Sequence, residues 1–330
     1  MALDGSLLSR ALARLEVRRS RRELEEQELR QKLYRLDPVL SELDSRIQRT
    51  AAQAIEVALK AGEDPVLAME KLEERSLELQ RKRAERIAAL GYPEHCIDGL
   101  PACGRCGDRG FVGTRPCDCL LELYQEEQRQ ELSKLLDLQG ERFSAFRLDY
   151  YDDRPDPNTG VSPRQQMNMV ELACRRYAET FSDNGANLFL SGGPGLGKTF
   201  LSACIASVVS QRGFSVVYET AINLCACYEA GRFNRGDAEE NAREKQRYHQ
   251  CDLLILDDLG TETHNAYNVS AIYDIVNSRL RSGRSTVISS NYSPEELSDR
   301  YSPQIASRLT GEYTDLRFYG QDIRRLKNEM

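Results

Sequence analysis

Hydrophobic and polar positions change their period along this chain, and the change divides it. In the region 1–95, Leu29, Leu33, Leu36, Leu40, Leu43 and Ile47 step by three and four, within a sequence rich in Arg, Glu and Leu and nearly free of aromatics. Such stepping marks one face of a helix. Asp37-Pro38 and Asp64-Pro65 each read as an N-cap followed by proline at the first helical position. Gly62 and Gly91 read as C-terminal stops. The pattern predicts two or three long helices packed as a hairpin or short bundle, a surface suited to docking a partner. Residues 121–140 are again helical in pattern and charged, a connector.

From residue 141 onward, short apolar runs alternate with helical stretches. The turn-rich segment 150–163 opens this region, and Ser162-Pro163 caps a helix running to about Phe181. Strands are predicted at Asn187–Leu190, Ser215–Tyr218, Asp252–Asp258 and Ser285–Ser290. Helices are predicted at Phe200–Val209, Ala221–Gly231 and Val269–Arg281, with Arg232–Arg247 a polar loop leading into a helix. Alternation of this kind predicts an α/β domain over 141–330, with a mostly parallel sheet and helices on both faces.

Composition narrows the picture. The 330 residues allow two domains, and the net charge of −7 leaves no global basic footprint, so any nucleic-acid surface must be local. The first fifteen residues lack an apolar run long enough for a signal peptide, and no stretch approaches a membrane span. The ten cysteines are spaced for metal rather than disulfides, so the expected compartment is the cytoplasm. The basic run Arg18-Arg19-Ser20-Arg21-Arg22 is followed by Glu23, Glu25, Glu26 and Glu28, which favours a solvated helix face over a nucleic-acid contact.

Three motifs carry chemistry. Gly192-Gly193-Pro194-Gly195-Leu196-Gly197-Lys198-Thr199 fits the P-loop pattern at every fixed position, between a predicted strand and a predicted helix. Its glycines free backbone N–H groups to cradle phosphates, Lys198 reaches the β- and γ-phosphates of ATP, and the Thr199 hydroxyl serves Mg²⁺. Fifty-nine residues after Lys198, the apolar strand 253–258 ends in Asp257 and Asp258. Asp257 is the candidate Mg²⁺-shell ligand, and Asp258 the candidate for orienting or deprotonating the attacking water. Asn291, ending the next strand, is placed to position that water or the γ-phosphate. Its plainer reading is a turn cap before Ser293-Pro294. Finally, Cys103, Cys106, Cys117 and Cys119 fall within seventeen residues of the glycine-rich segment 96–120. Four thiolates would close a structural Zn²⁺ site where no apolar core can form. The tight C-x-C pair leaves His95 or Cys96 open as substitute ligands.

With its Walker A and B motifs and Asn291, the region resembles an AAA+ P-loop ATPase. The tail, Ile305-Ala306-Ser307-Arg308-Leu309 and then Leu316 to Arg324, resembles bacterial replicative helicase loaders of the DnaC/DnaI type and their IstB relatives. The cysteine-bearing region is similar, more loosely, to the zinc-containing N-terminal domain of DnaI-type loaders. The resemblance implies that Arg308 is an arginine finger reaching a neighbouring subunit's γ-phosphate, and that Arg324 is a sensor 2 arginine acting in its own subunit. It implies an ATPase that self-associates through the AAA+ domain, holds the replicative helicase and binds single-stranded DNA. Many AAA+ proteins have Glu where this chain has Asp258, which favours slow, switch-like turnover. The competing expectations are an IstB-like transposition helper acting with a transposase on duplex DNA, and a small-molecule P-loop enzyme such as a kinase. The last leaves Arg308, Arg324 and the cysteines without a role.

Overall fold

The computed structural model describes residues 3–59, 65–136, 141–157, 160–182, 186–232 and 238–329. Leu12–Leu120 form one compact unit and the remaining described residues another.

The first unit is built on α1 (Gly5–Leu36), α2 (Pro38–Leu59) and α3 (Pro65–Ala89). Asp37 and Pro38 divide α1 from α2 as expected. The Asp37 carboxylate accepts the Val39 N–H at 3.1 Å and pairs with Arg86 of α3. Proline at the first helical position loses no hydrogen bond, so the chain can turn there at little cost. Leu33 and Leu40 are fully buried with Ile87 and Ile97, whereas Leu36, the last residue of α1, is exposed. Gly91 has φ +82°, a conformation that favours glycine, and its N–H closes the end of the third helix onto Ala88. Gly62 and Asp64 lie outside the described residues. A short ribbon follows, β1 (Phe111–Val112) antiparallel to β2 (Arg115–Pro116); of the next helix, α4 (Asp118–Ser133), all from Leu121 onward belongs to the second unit.

The second unit is an α/β module. After two single 3-10 turns, Phe143–Ala145 and Leu148–Tyr150, it runs α5 (Pro163–Glu179), β3 (Asn187–Ser191), α6 (Lys198–Gln211), β4 (Val216–Thr220), α7 (Ala221–Arg232) and α8 (Ala238–Gln250). It continues with β5 (Leu253–Leu259), α9 (Ala266–Arg281), β6 (Ser285–Ser290), α10 (Pro294–Arg300), α11 (Pro303–Glu312), β7 (Tyr313–Arg317) and α12 (Ile323–Glu329). Ser162 caps α5 through a full capping box with Gln165. Of the predicted polar segment 232–247, residues 233–237 lie outside the described residues.

The five strands are all parallel, in the order β4-β5-β6-β3-β7. Helices cover both faces, and the central strands β5 and β6 are buried almost throughout: β5 as its apolar run Leu253–Leu256 requires, β6 although four of its six residues carry hydroxyls. The sequence pattern did not reveal β7 as a strand, because Tyr313-Thr-Asp-Leu-Arg317 is half polar. It is an edge strand, and only its pairing with β3 makes it one. The opposite edge, β4, is closed by a side chain. Gln128 of α4, fully buried, accepts the Val216 N–H and donates to the Phe214 carbonyl, as a neighbouring strand would.

At the base of the sheet the Arg279 guanidinium is wholly buried. It donates to the carbonyls of Tyr248, Cys251 and Ser285 and to the Thr286 hydroxyl, joining α8, the link from α8 to β5, α9 and β6.

Candidate nucleotide site

The P-loop follows β3 at the carboxyl end of the sheet, where strand order reverses between β6 and β3 and ligands of open α/β sheets bind. Gly197, at φ +92°, is the N-cap of α6, so Lys198 and Thr199 open that helix. Glycine is required here for packing as well as conformation. A Cβ on Gly192 would lie 2.5 Å from the Phe318 carbonyl oxygen, and one on Gly195 would collide with the Asp322 carboxylate. The Ile323 N–H donates to the Gly195 carbonyl at 3.0 Å, so the chain's last helix starts against the loop's tip. From the other side, the buried Tyr151 hydroxyl donates to the Leu196 carbonyl at 2.8 Å.

Lys198 is buried, and its ammonium donates at 2.8 Å to Gly192 O, Gly193 O and Asn291 Oδ1. Burial pulls its pKa down to about 8 against the opposing pull of Asp258 and Asp257, and Arg324 lowers it further. Asn291 is therefore engaged with the P-loop lysine. The turn-cap role goes instead to Ser293, which caps α10 with Glu296.

Asp257 accepts from Thr199 Oγ1 at 3.1 Å and from the hydroxyls of Tyr218 and Ser289. The phenol pKa of Tyr218 is raised by burial first and then by Asp257 itself, which keeps it a donor. Asp258 departs from the strand. The β5–β6 register shifts between Leu256 and Leu259, and Asp258 sits in this bulge at φ +54° with its N–H on Ser289 Oγ. Asp and Asn tolerate the left-handed region better than most residues, which gives a backbone reason for Asp at this position. Burial, and then the neighbouring Asp257, raises the Asp258 carboxyl above its ordinary range.

Lys198, Thr199, Asp258 and Asn291 line a cleft of about 330 Å³, with Asp257 behind Thr199. Pro194 to Phe200, Asp258 and Asn291 form its floor, and Arg324 and Ile323 contribute from the start of α12. Phe146, Tyr150 and Tyr151 give it an aromatic wall, with the Arg147 guanidinium over the Tyr150 ring. Arg308 is not among the lining residues; it lies half-exposed on α11 with its guanidinium 5.7 Å from the centre of the Tyr273 ring. The structure thus gathers Lys198, Thr199, Asp257, Asp258, Asn291 and Arg324 and leaves Arg308 outside.

Residues 162–308 match the family model of the IstB-like ATP binding protein, a span that takes in both Walker motifs and Asn291 and ends on Arg308. The likeness covers 147 of the chain's 330 residues, called the IstB-like module below. Among curated relatives, the replicative helicase loader DnaC of Escherichia coli K12 is 32% identical over 152 residues, 46% of this chain and 61% of that protein. The DnaC of Buchnera aphidicola from Schizaphis graminum is 31% identical over 143 residues, 42% of this chain and 56% of that protein. The chain therefore spans about three fifths of the length of the curated relatives it matches. A crystal structure of the DnaC helicase loader superposes with a TM-score of 0.45 at 19% identity, covering 55% of this chain and 98% of that one.

Outside the IstB-like module, the four predicted cysteines converge. All four sulfurs lie within 4.8 Å of one another, with Cys103–Cys117 at 3.7 Å and Cys106–Cys119 at 3.5 Å. Tetrahedral zinc with Zn–S bonds of about 2.3 Å places sulfurs about 3.8 Å apart, so the cluster fits Zn²⁺. The tight Cys117-x-Cys119 spacing works because Asp118 starts α4 and turns the chain. Asp108 shapes the knuckle: its carboxylate accepts the Ala102 and Cys103 N–H groups and pairs with Arg22. His95 instead bonds Asp98, and Cys96 packs beside Leu33 and Leu40. Arg19 of the basic run pairs with Glu23, as a solvated face would. Among the described residues no helix is long and apolar enough to cross a membrane.

Sequence reading of the nucleotide site missed Tyr218, Ser289 and the aromatic wall. Ser289 carried a signal, as a hydroxyl near the end of a strand expected to be buried. The aromatic wall carried none, because it precedes the P-loop by about fifty residues in a turn-rich segment.

Proposed function

We propose that this chain is an ATP-dependent loader that binds a bacterial replicative helicase and helps place it on single-stranded DNA during replication initiation or restart. The observation that carries the ATPase part is the cleft, where one lysine, two carboxylates, an amide and an arginine converge on a P-loop. In this reading Lys198 leaves its carbonyl and Asn291 partners to meet the β- and γ-phosphates. Thr199 and Asp257 hold Mg²⁺, which neutralises phosphate charge when bound. Tyr218 and Ser289 fix the Asp257 carboxylate. Asp258 takes up the proton of the attacking water while Asn291 orients it, and the raised Asp258 pKa suits a base. Arg324 acts in its own subunit. Arg308, outside the cleft, reaches the γ-phosphate of a neighbouring subunit and makes turnover depend on assembly.

The partner assignment rests on the named loaders among the relatives and on the helical and cysteine-bearing region preceding the module. That region serves as the helicase-docking part, with Zn²⁺ on Cys103, Cys106, Cys117 and Cys119 holding its shape. The IstB-like match favours a second reading, a transposition helper working on duplex DNA. Lys198→Ala and Asp257→Ala test the site: both should lose Mg²⁺-dependent ATP turnover, and unchanged turnover in both refutes it. Pull-down with purified replicative helicase and DNA binding in ATP test the partner. Helicase capture with a single-strand preference that weakens steeply with salt supports the loader. Transposase capture with a duplex preference supports the helper instead.

A further inference from the structure

Glu262 is a buried carboxylate outside the cleft, 4% exposed, in the loop between β5 and α9. Burying a carboxylate is costly unless its oxygens are satisfied, and here both are. One oxygen accepts the Gly260 N–H at 2.9 Å and the other accepts the Tyr301 hydroxyl. Its backbone carbonyl accepts from Arg300 Nη2 at 3.1 Å. Glu262 therefore ties two different pieces of the module together.

The first piece is the turn that aims Asp258. Thr261 closes it by donating its N–H and hydroxyl to the Asp258 carbonyl. Gly260 sits at φ +105°, and a Cβ there would lie 2.8 Å from the Tyr292 ring. Tyr292 directly follows Asn291, and Ser290 Oγ donates to the Leu259 carbonyl at 2.6 Å. Asp258 and Asn291 are thus set relative to each other by the flat contact of Gly260 on Tyr292. The second piece is the end of α10. Arg300 lies over the Tyr292 ring, Tyr301 follows it, and Ser302 then caps α11, which carries Arg308.

We infer that Glu262 is a positioning residue: through Gly260 and Tyr301 it holds the left-handed Asp258 in register with Asn291 and links that geometry to the helix bearing Arg308. The inference rests on the ATPase reading above. Asp258 occupies a sparsely populated backbone conformation, which persists only where its surroundings over-determine it. The Glu262 contacts add to that over-determination from the side away from the sheet, beside the Ser289 and Thr261 bonds and the ladder that resumes at Leu259 and Ser290.

The test uses the full chain and three variants. Tyr301→Phe removes one hydroxyl and with it the bond from the Glu262 side chain to the α10–α11 side, leaving the Arg300 contact to the Glu262 carbonyl. Glu262→Ala removes both side-chain contacts, and Glu262→Gln keeps an acceptor for Gly260. Turnover, affinity for a fluorescent ATP analogue with Mg²⁺, and thermal melting are measured on each. Tyr301→Phe and Glu262→Ala should lower kcat by about 10- to 100-fold, the usual loss when a supporting contact behind a catalytic group is removed. Nucleotide affinity should stay within about twofold, and Glu262→Gln should recover at least part of kcat. The proposal is overturned if Tyr301→Phe leaves kcat unchanged, or if affinity falls in step with kcat as the melting point drops, which is the signature of a merely structural contact. If the wild-type chain turns over no ATP, the ATPase reading fails and takes the proposal with it. Normal wild-type turnover with an indifferent Tyr301→Phe sinks the proposal alone.

Discussion

Affinity for Mg-ATP should fall as pH rises from 7 to 9, because Lys198, the proposed phosphate-binding lysine, is close to losing its proton. Lys198 is buried with its pKa pulled down to about 8. Free protein then holds about a tenth of Lys198 neutral at pH 7 and about nine tenths at pH 9. Bound triphosphate stabilises the ammonium, so binding selects the protonated form and takes up a proton. The sign follows: affinity is full below the lowered pKa and is lost as pH climbs through it. The ratio of neutral to charged lysine sets the size, an affinity loss of about tenfold between pH 7 and 9, or about 1.4 kcal/mol. The assay is calorimetric titration with Mg²⁺ and a non-hydrolysable ATP analogue, repeated in buffers of different ionisation enthalpy. Near pH 8, about half a proton should be taken up per nucleotide bound, by linkage. Lys198→Arg, which stays charged throughout, should show weaker binding with a flat profile. An affinity that changes less than about twofold to pH 9, with no proton uptake, would refute the argument. It would mean that the three acceptors around Lys198 hold its charge against the cost of burial.

Three further outcomes are expected. Arg308→Ala should leave the nucleotide affinity of the monomer intact and reduce hydrolysis and ATP-dependent assembly together; mixing it with Lys198→Ala subunits should restore partial turnover, and no recovery despite co-assembly would place Arg308 in cis or in a structural role. Freshly purified protein should carry about one Zn²⁺ per chain by the four-thiolate rule, and metal analysis of Cys103→Ser or Cys117→Ser should show it lost. Arg279→Met should destabilise the module by about 3 kcal/mol or more, because the Tyr248, Cys251 and Ser285 carbonyls lose their donor in a dry site; denaturant unfolding reads this directly.

Much of this protein was legible locally. The P-loop announces itself because phosphate binding needs glycines, lysine and a hydroxyl at fixed spacing within one turn. Asp257 and Asp258 were visible because a buried strand that ends in charge breaks its own apolar pattern. The four cysteines were visible because thiol spacing is read within a few residues. Asp37 and Pro38 set a helix boundary by backbone chemistry alone. What the sequence could not reveal depends on partners distant in the chain. Tyr313–Arg317 is a strand only because β3 offers it an edge. Arg279 looks like a surface residue on a helical pattern, yet the fold surrounds it with carbonyls and buries it whole. Gln128 gives no hint that it caps a sheet, and Glu262 none that it meets Tyr301, thirty-nine residues on. Arg308 and Arg324 are chemically alike in sequence, but tertiary structure puts one at the rim of the cleft and leaves the other outside it. Local chemistry declares itself where neighbouring residues share one task. Where a side chain's energy comes from burial and from groups brought in by topology, only the folded chain decides it.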